Sequence, residues 1–458
     1  MSAVTVTDKV SAGFTAAVAD AVADVRFDAL PAEVIERTRH MLLDWLAVSI
    51  AGAQQPSARA AARVAAAEGG NPLSSVLGTS LRLGPQHAAL VNGVAAHALD
   101  YDDGSRWAGA HPSAPVVSAA VALGEARGLP GDQIVTAIVA GVQGLCLIGH
   151  ATGPSHYAKG FHTTGTIGAF GASAGCARLL HLDARATARA LGLAATQAAG
   201  LKTVFGTMGK HLNAGRAAAN GVLAACLAAE GFDAPQDAIE ARQGFAWTQS
   251  TSFDPARRKD GGRFGVEQVL FKRYACCADT HSAIEGIRAV AARRRLTPAT
   301  IAGVHLGVSD GLLDVCDIAS PTSGAEAKFS VRYATALAIL GAALGPSDFT
   351  DAAIGRPDAA SLLSAVTVEA VRNGHASDPI EVTVRFTDGT TETALVNPLV
   401  PVPADELPQQ WNVLSAKFDD LVVPVLGAER AASLRQSVRE VDRLGSIAVM
   451  TKLATLES

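Results

Sequence analysis

Residues 160–180 have the sequence GFHTTGTIGAFGASAGCARLL, in which a histidine precedes a long uncharged run of glycine, alanine and other small residues. Such a run favours a helix surrounded by other helices, because small side chains let helix backbones approach closely. Small and apolar residues with helical spacing continue from about residue 30 to 229. Pro31 lies where proline is common, in the first turn of a helix. It predicts helices over residues 86–98, 115–126, 132–148, 164–180, 186–199 and 214–229, with a short hairpin over 74–83.

The small apolar residues give way to a polar, glycine-bearing segment at 251–265, which is typical of a linker or surface loop. Beyond it the pattern predicts mixed structure. Helices are expected over residues 282–295, 414–426 and 428–441, and strands over 301–308, 366–371 and 380–396, the last with a hairpin turn at Asp388-Gly389.

A chain of 458 residues is too long for one ordinary hydrophobic core. We therefore predict a mainly α fold made of a large all-helical domain (1–265), an inserted smaller α+β lid domain (266–397) and C-terminal helices (398–458) that return to the first domain. With 49% hydrophobic and 18% charged residues, the composition excludes a disordered chain.

The charge balance restricts the partners. With 38 Lys and Arg against 43 Asp and Glu, the net charge of -5 offers no general basic field for a nucleic acid or an anionic membrane. Uncharged runs such as 134–149 fall short of the ~18 residues of a membrane span and are expected to be buried helices. Met1–Asp8 lacks the basic start of a secretory signal, so a cytoplasmic location is expected.

The six cysteines are scattered and form no C-x-x-C pair, which argues against a zinc site or a disulfide framework. The adjacent Cys276-Cys277 pair is interpreted as packing rather than as a nucleophile. No Walker loop or dinucleotide-binding glycine motif is found, so no cofactor is expected. The reacting groups are therefore expected to be side chains of the protein.

Short polar clusters precede several of the predicted helices, and each carries a histidine or a lysine. A helix start offers unpaired N–H groups and about half a positive charge, so several starts around one cavity would bind a ligand with two or three carboxylates. The same field would keep a nearby histidine neutral and able to take a proton from a carbon beside a carboxylate. The residues concerned are His111, His162, Lys210, His211, Lys272, Tyr274 and His281.

Structural interpretations of these residues stay open. Ser113 and Thr163 suit ordinary helix caps. Asp100, Asp102 and Asp103 either end a helix in solvent or orient a histidine. His97, three residues before Asp100, would allow a metal site with His111. Tyr333 suits a core aromatic as well as an active-site residue.

The chain resembles the MmgE/PrpD family over nearly its whole length. The resemblance rests on LLDWLAVSIAGA (42–53), NGVAAHALDYDD (92–103), HPS (111–113), GFHTTGTIGAFGASA (160–174), GRAAANGVLAA (215–225) after Lys210, FKRYACCADTH (271–281) and AKFSVRYATALAIL (327–340). It implies a helical domain joined to a smaller α+β lid, a homodimer, and a metal-free cleft that binds a small polycarboxylate.

The resemblance also implies active-site positions, which by motif are Asp100, His111, His162, Lys210, Lys272 and Tyr333. We expect His111 and His162 to act as acid and base, and Asp100 to orient a histidine. The substrate is expected to be bound by Lys210, Lys272, His281 and Asp103, with the two lysines holding its carboxylates. Gly104 and Asn213 depart from the commoner family pattern, in which a hydroxyl residue and a histidine are frequent at those places.

These residues predict a cofactor-independent lyase that removes a proton beside a carboxylate and expels water or carbon dioxide, with dehydration preferred. The alternatives are an epimerase of an amino-dicarboxylate such as iminodisuccinate, a carboxylate-binding protein without turnover, and a metal-dependent hydrolase.

Overall fold

A computed structural model describes residues 13–258 and 264–457. The prediction of a mainly α fold is confirmed. The first part of the chain is helical: α1 Phe14–Ala23, α2 Ala32–Gly52, α3 Pro56–Glu68, α4 Pro85–Ala98, α5 Ser113–Ala126, α6 Gly131–Thr152, α7 Pro154–Ala158, α8 Thr163–Leu179, α9 Ala184–Ala195, α10 Gly209–Ala229 and α11 Phe245–Gln249.

Small residues determine how closely these helices pack. Helices α8 and α10 lie against each other, and a Cβ atom added at Gly221 would be 2.3 Å from the Cβ of Ala172. A Cβ at Gly168 would likewise be 2.8 Å from Pro115 on α5. Both positions therefore need glycine, and the uncharged run from which the fold was predicted lies at the centre of the helical packing.

The predicted helices of this part end within a few residues of the observed ones, except that α10 begins at Gly209, five residues before the prediction, so that Lys210 and His211 lie in its first turn rather than ahead of it. The hairpin is confirmed as β1 Ser74–Ser75 paired with β2 Arg82–Leu83. Helix α3 was not predicted; most of its surface is exposed, so its apolar stripe is narrow.

Helix α6 is longer than the apolar run 134–149 suggested. With 22 residues it is long and apolar enough to cross a membrane by length and composition, so the expectation that it would fall short was wrong. Its most apolar window is 89% buried inside the protein, however, as expected for a core helix. The interpretation of Met1–Asp8 lies outside the described residues.

The second part of the chain mixes helices and strands. Its helices are α12 His281–Arg293, α13 Asp310–Cys316, α14 Gly324–Ala327, α15 Val331–Ile339, α16 Asp351–Ile354 and α17 Pro357–Leu363. The strands β5 Ile301–Ser309, β6 Val366–Arg372, β7 Ile380–Phe386 and β8 Thr391–Val396 form a sheet in the order β6-β5-β7-β8. Strands β5 and β6 are parallel, and the other neighbours are antiparallel.

The described residues contain two large hydrophobic cores. One is built from α1 to α11 and from the C-terminal helices α18 Leu407–Leu426, α19 Ala428–Arg439 and α20 Ala448–Leu453. The other is built from buried residues between Tyr274 and Ala394. The second core thus interrupts the first in sequence. That it moves as a lid, and that the domains end at residues 265 and 397, stay predictions.

One short strand pair connects distant parts of the chain beside the polar clusters. Strand β3 Gly104–Ser105 pairs antiparallel with β4 Val269–Leu270. This pairing places the segment after Asp100 next to the segment before Lys272. It therefore brings together two of the polar clusters that were predicted separately.

Candidate active site

A buried group of opposite charges, which we call the lysine cluster, consists of Asp100, Lys210 and Lys272. The Nζ atom of Lys210 forms an ion pair with Asp100 Oδ1, and Lys272 Nζ lies 3.1 Å from the same oxygen. Lys272 Nζ also donates to the Asp100 backbone oxygen at 2.8 Å. Asp100 has a positive φ of 53° in the turn after α4, a conformation that aspartate tolerates better than most residues.

The two lysines determine the charge of this aspartate. Burial by itself would raise the pKa of Asp100, but Lys210 and Lys272 outweigh it and hold that pKa well below the usual range. Burial likewise opposes the charged form of Lys272, but Asp100 and Asp102 raise the pKa of its ammonium group above the usual value. Mutual stabilisation thus keeps Asp100 and Lys272 charged.

Three imidazole rings form a second group, the histidine cluster, made of His97, His111 and His162. The ring centroids of His97 and His111 are 4.8 Å apart, and those of His97 and His162 are 5.6 Å apart. His111 lies two residues before α5 and His162 directly before α8, so two predicted helix starts do meet. Burial lowers the pKa of all three rings well below 6.5, and the nearby lysines lower it further. Burial, rather than the helix field that we expected, is the largest cause.

Hydrogen-bond partners assign the proton on two of these rings. The Nδ1 atom of His111 lies 2.6 Å from the backbone oxygen of Asp103. Since a carbonyl oxygen only accepts, Nδ1 carries the proton of the neutral ring and Nε2 carries a lone pair. His97 Nδ1 similarly contacts Asp102 Oδ2 at 2.8 Å. The side chain of His111 is 19% exposed, so its free nitrogen can accept a proton from a ligand.

Asp103 is placed differently from our expectation of a substrate-binding residue. Its Oδ1 accepts from the Ser113 backbone N–H at 3.0 Å and its Oδ2 from the Ser113 hydroxyl at 2.5 Å. Burial raises the pKa of Asp103 to about 8. The carboxyl group therefore fixes the start of α5. Ser113 and Thr163 are first helical residues without a capping bond, so their interpretation as caps was wrong.

Two further predicted site residues lie apart from the histidine cluster. Tyr333 is buried in the second core, where its hydroxyl donates to the Asp348 backbone oxygen at 3.1 Å and its ring contacts Phe349. The structure thus does not bring it to the other residues. His281 is the first residue of α12, and its ring lies 4.9 Å from that of Tyr274. Burial lowers its pKa to about 3, with a further contribution from Lys272.

Sequence reasoning missed Lys328, in the AKFSVRY motif. Its Nζ donates to the backbone oxygens of Leu99 at 2.9 Å and Ala98 at 3.3 Å, at the end of α4. Burial lowers its pKa to about 8, and the positive charges of Lys210 and Lys272 contribute. A lysine directly before the largely apolar stretch 329–340 of this motif was the available signal.

The C-terminal helices also contribute a missed residue. Lys417 on α18 is buried, and its Nζ donates to Asp44 Oδ1 at 2.6 Å and to the Tyr101 backbone oxygen at 2.7 Å. The same ammonium lies 3.3 Å from the Lys272 backbone oxygen. Lys417 therefore fixes two of the three chain segments that carry the lysine cluster, those of Asp100 and Lys272.

Two groups of side chains among the described residues could hold a metal ion. Ligand atoms of His97, Asp102 and His111 lie within 4.8 Å of one another, so the metal alternative is geometrically open, with Asp102 rather than Asp100 as the carboxylate. Cys277, Asp279 and Cys316 form the second group. The absence of a metal from the reaction stays a prediction.

A cavity of about 400 Å³ lies elsewhere, between the ends of α12 and α15, and is lined by residues such as Arg294 and Leu340. None of the predicted site residues lines it. We place the candidate site at the two clusters, because within the described part of the chain several buried acid, base and cationic groups converge there.

The fold and the site define a two-core, mainly α protein with buried imidazole and lysine–carboxylate groups at the convergence of several chain segments. The chain belongs to the MmgE/PrpD family: residues 16–258 match the MmgE/PrpD N-terminal domain and residues 274–443 match the C-terminal domain. The resemblance stated from the motifs is thereby confirmed.

Several curated relatives match over nearly the full chain. A cis-aconitate decarboxylase of Aspergillus terreus is 26% identical over 475 residues, which cover 96% of each chain. The human cis-aconitate decarboxylase is 27% identical and covers 96% of this chain and 94% of its own. The mouse enzyme is 26% identical and covers 92% and 89%. These relatives are enzymes of the lyase type.

Proposed function

We propose that this protein is a cofactor-independent lyase that acts on a small di- or tricarboxylate. The observation that carries the proposal is that the histidine cluster and the lysine cluster lie close enough to act on each other electrostatically. Neutral imidazoles surround His97, and ammonium groups surround Asp100, three residues along the chain. A polycarboxylate needs both, since it must be held by positive charge and attacked by a neutral base.

The binding half of the site has an excess of positive charge. Lys210, Lys272 and, below about pH 8, Lys328 face the two carboxylates of Asp100 and Asp102. Both lysines contact Asp100 Oδ1, and Asp100 Oδ2 has no hydrogen-bond partner among the described residues. Ammonium groups held in a buried site bind carboxylates strongly, because little water competes with them.

The histidine cluster, which would carry out the reaction, contains a base whose lone pair is available. We assign His111 Nε2 as the base that takes the proton from the carbon beside a carboxylate. The electron pair left on that carbon moves into the carboxylate, where the lysine cluster stabilises the added negative charge. It then returns to form the C=C bond, and the neighbouring C–O bond breaks as the hydroxyl leaves as water with the proton that His111 has taken. His162, whose ring stacks on that of His97, supplies a further imidazole beside this base.

Two lyase reactions fit this arrangement. The names of the relatives favour loss of carbon dioxide from cis-aconitate, in which the breaking C–C bond supplies the electron pair, the double bond shifts, and a proton from water reaches carbon through an imidazole. The base-and-cation pair suits dehydration of a methylcitrate-like substrate, the reaction preferred from sequence. An epimerase would use the same base on an amino-dicarboxylate such as iminodisuccinate. cis-Aconitate is therefore the first substrate to test, and the others form the comparison panel.

Proton NMR in D₂O with cis-aconitate, methylcitrate, citrate and iminodisuccinate tests the proposal. We expect carbon dioxide release or new alkene signals with one of the first three. Deuterium incorporation with inversion of iminodisuccinate, and no lyase product, would favour the epimerase. If the wild type binds a panel member but exchanges no carbon-bound proton, the protein only binds carboxylates.

The His97–Asp102–His111 group requires a metal control. Turnover should survive exhaustive dialysis against a chelator. Loss of activity on chelation, with recovery on adding Zn²⁺ or Mn²⁺, would contradict the cofactor-independent mechanism and favour the metal-dependent alternative.

A further inference from the structure

We propose that Asn213 determines which ring nitrogen of His162 carries the proton, and thereby makes His162 a hydrogen-bond donor towards the substrate. Asn213 would be a positioning residue, since it acts through His162. The statement about the proton stands on geometry alone, whereas its consequence for turnover rests on the proposed function.

The orientation of the Asn213 amide is fixed by two contacts of the same nitrogen. Its Nδ2 lies 3.0 Å from His162 Nδ1 and 3.4 Å from the backbone oxygen of Leu201. A backbone oxygen cannot donate, so the NH₂ end of the amide, rather than its oxygen, points in this direction. Because an amide NH₂ only donates, His162 Nδ1 must accept.

Packing holds the amide in that place. A Cβ at Gly165 would be 3.1 Å from Asn213 Cβ and 2.7 Å from the Ala199 backbone oxygen, and one at Gly200 would be 3.3 Å from Asn213 Cγ. Gly200 also has a φ of +152°, which few other residues adopt. Two glycines thus form a slot for this side chain.

The histidine and the glycine slot are also joined through the backbone. The His162 N–H donates to the Gly200 oxygen at 3.0 Å, and Phe161 forms a bridge with Leu201. The segment that accepts from the Asn213 amide is therefore the segment that fixes the position of His162.

The groups that face His162 keep its ring neutral. Its ring stacks on His97 and meets Phe205 edge-on at 4.9 Å, while Lys210, His211 and Asp100 act on it electrostatically. Burial, followed by His97 and Lys210, holds the pKa of His162 well below 6.5. A neutral ring whose Nδ1 accepts must carry its proton on Nε2.

This state is opposite to that of His111. His111 has its proton on Nδ1 and a free Nε2, whereas His162 would present Nε2–H. A neutral imidazole before a helix start can polarise a substrate oxygen by donating such a hydrogen bond. The pair would then offer one base and one donor rather than two interchangeable bases.

Histidine-selective ¹⁵N labelling and long-range proton–nitrogen NMR of the substrate-free protein test the proton position directly. We expect His162, assigned by its loss in His162→Gln, to be neutral with its proton on Nε2. In Asn213→Asp the carboxylate accepts from Nδ1, so the proton should move there and the pKa of His162 should rise. A wild-type proton on Nδ1, or an unchanged ring in Asn213→Asp, would overturn the inference.

Turnover gives the second readout. Above the raised pKa, neutral His162 in Asn213→Asp lacks the Nε2 proton, and turnover should fall about 10²-fold. Below that pKa the ring gains a proton, and turnover should recover. Over the pH range in which Asn213→Asp loses turnover, the wild type should keep its activity. The control Asn71→Asp, which adds the same charge at an exposed position, should keep its activity as well. A uniform loss at every pH would mean that Asn213 is merely structural.

Asn213→Ala keeps the inference testable if the aspartate variant does not fold. Without the amide, His162 should populate both tautomers, and a single Nε2–H signal in this variant would contradict the inference. If the NMR result is as expected but no panel compound reacts, the proposed function fails while the role of Asn213 stands.

Discussion

The histidine cluster and the lysine cluster are buried to a similar degree, yet burial has opposite outcomes in them. Around His97 it removes positive charge from all three rings. Around Asp100 it is outweighed by the opposite charges, which keep the aspartate and Lys272 ionised. Lys328 is intermediate, because its ammonium group touches backbone oxygens rather than a carboxylate. The partner of a buried group, rather than burial alone, therefore decides its charge.

Removing the shared counter-charge should have the largest effect. Asp100→Asn keeps a side chain that tolerates positive φ but leaves two buried ammonium groups without their partner. We expect turnover to fall more than about 10³-fold and the free energy of unfolding to fall by about 3–5 kcal/mol. Denaturant unfolding measures the second quantity. Asp28→Asn, which breaks the exposed Arg26–Asp28 pair, is the matched control and should change little. Equal stability of the two variants would refute the comparison.

The histidine side of the comparison is tested by His111→Gln. Loss of the free Nε2 should lower turnover by about 10²-fold or more, while the melting temperature stays near that of the wild type. The control is His305→Gln, at a half-exposed position on β5 away from the site. Near-normal turnover in His111→Gln would remove this residue from the mechanism.

The intermediate case, Lys328, should control binding more than chemistry. Its folded-state pKa of about 8 means that its positive charge is present below pH 8 and is lost as the pH rises through that value. The KM for a polycarboxylate should therefore rise above pH 8 in the wild type. Lys328→Gln should have a KM about tenfold higher at pH 7, equivalent to ~1.4 kcal/mol, without that rise. The exposed control Lys452→Gln should keep the wild-type KM. If Lys328→Gln kept it as well, Lys328 would only donate hydrogen bonds to the end of α4.

Asp103 should give the smallest effect, because its buried carboxyl group is already neutral below about pH 8. Asp103→Asn retains an oxygen for the Ser113 N–H and adds a donor for its hydroxyl, so turnover should stay within about twofold. In the wild type the folded state holds a proton that the unfolded state releases above about pH 4. Its free energy of unfolding should therefore fall between about pH 4 and 8, and Asp103→Asn should lack that slope. Parallel pH profiles of the two proteins would contradict this assignment.

Local patterns were sufficient for much of the fold. The small-residue runs located helices such as α8, and the Asp388-Gly389 turn separates β7 from β8 as predicted. Short elements such as α14 and α16 were missed, because four-residue helices carry too few positions to show a period. In the site, the motifs located Asp100, His111, His162, Lys210 and Lys272, which the structure brings together.

Contacts between distant positions could not be predicted. Lys417 is 373 residues from Asp44, and the pairing of β3 with β4 joins segments whose sequences carry no common signal. For Tyr333 the motif led to the opposite error. This residue was predicted to belong to the active site, but it lies in the second core, where its hydroxyl donates to the Asp348 backbone oxygen. The direction of a side chain on a short buried helix depends on packing partners that the chain order does not reveal.

Lys417 also has a consequence for synthesis. Translation delivers Tyr101 and Lys272 long before the ammonium group that ties their carbonyl oxygens together. A nascent chain can therefore form its earlier helices before these two segments are tied together, and we expect substrate binding to wait until α18 has been synthesised. Premature termination before α18 would yield an inert product rather than a slow enzyme.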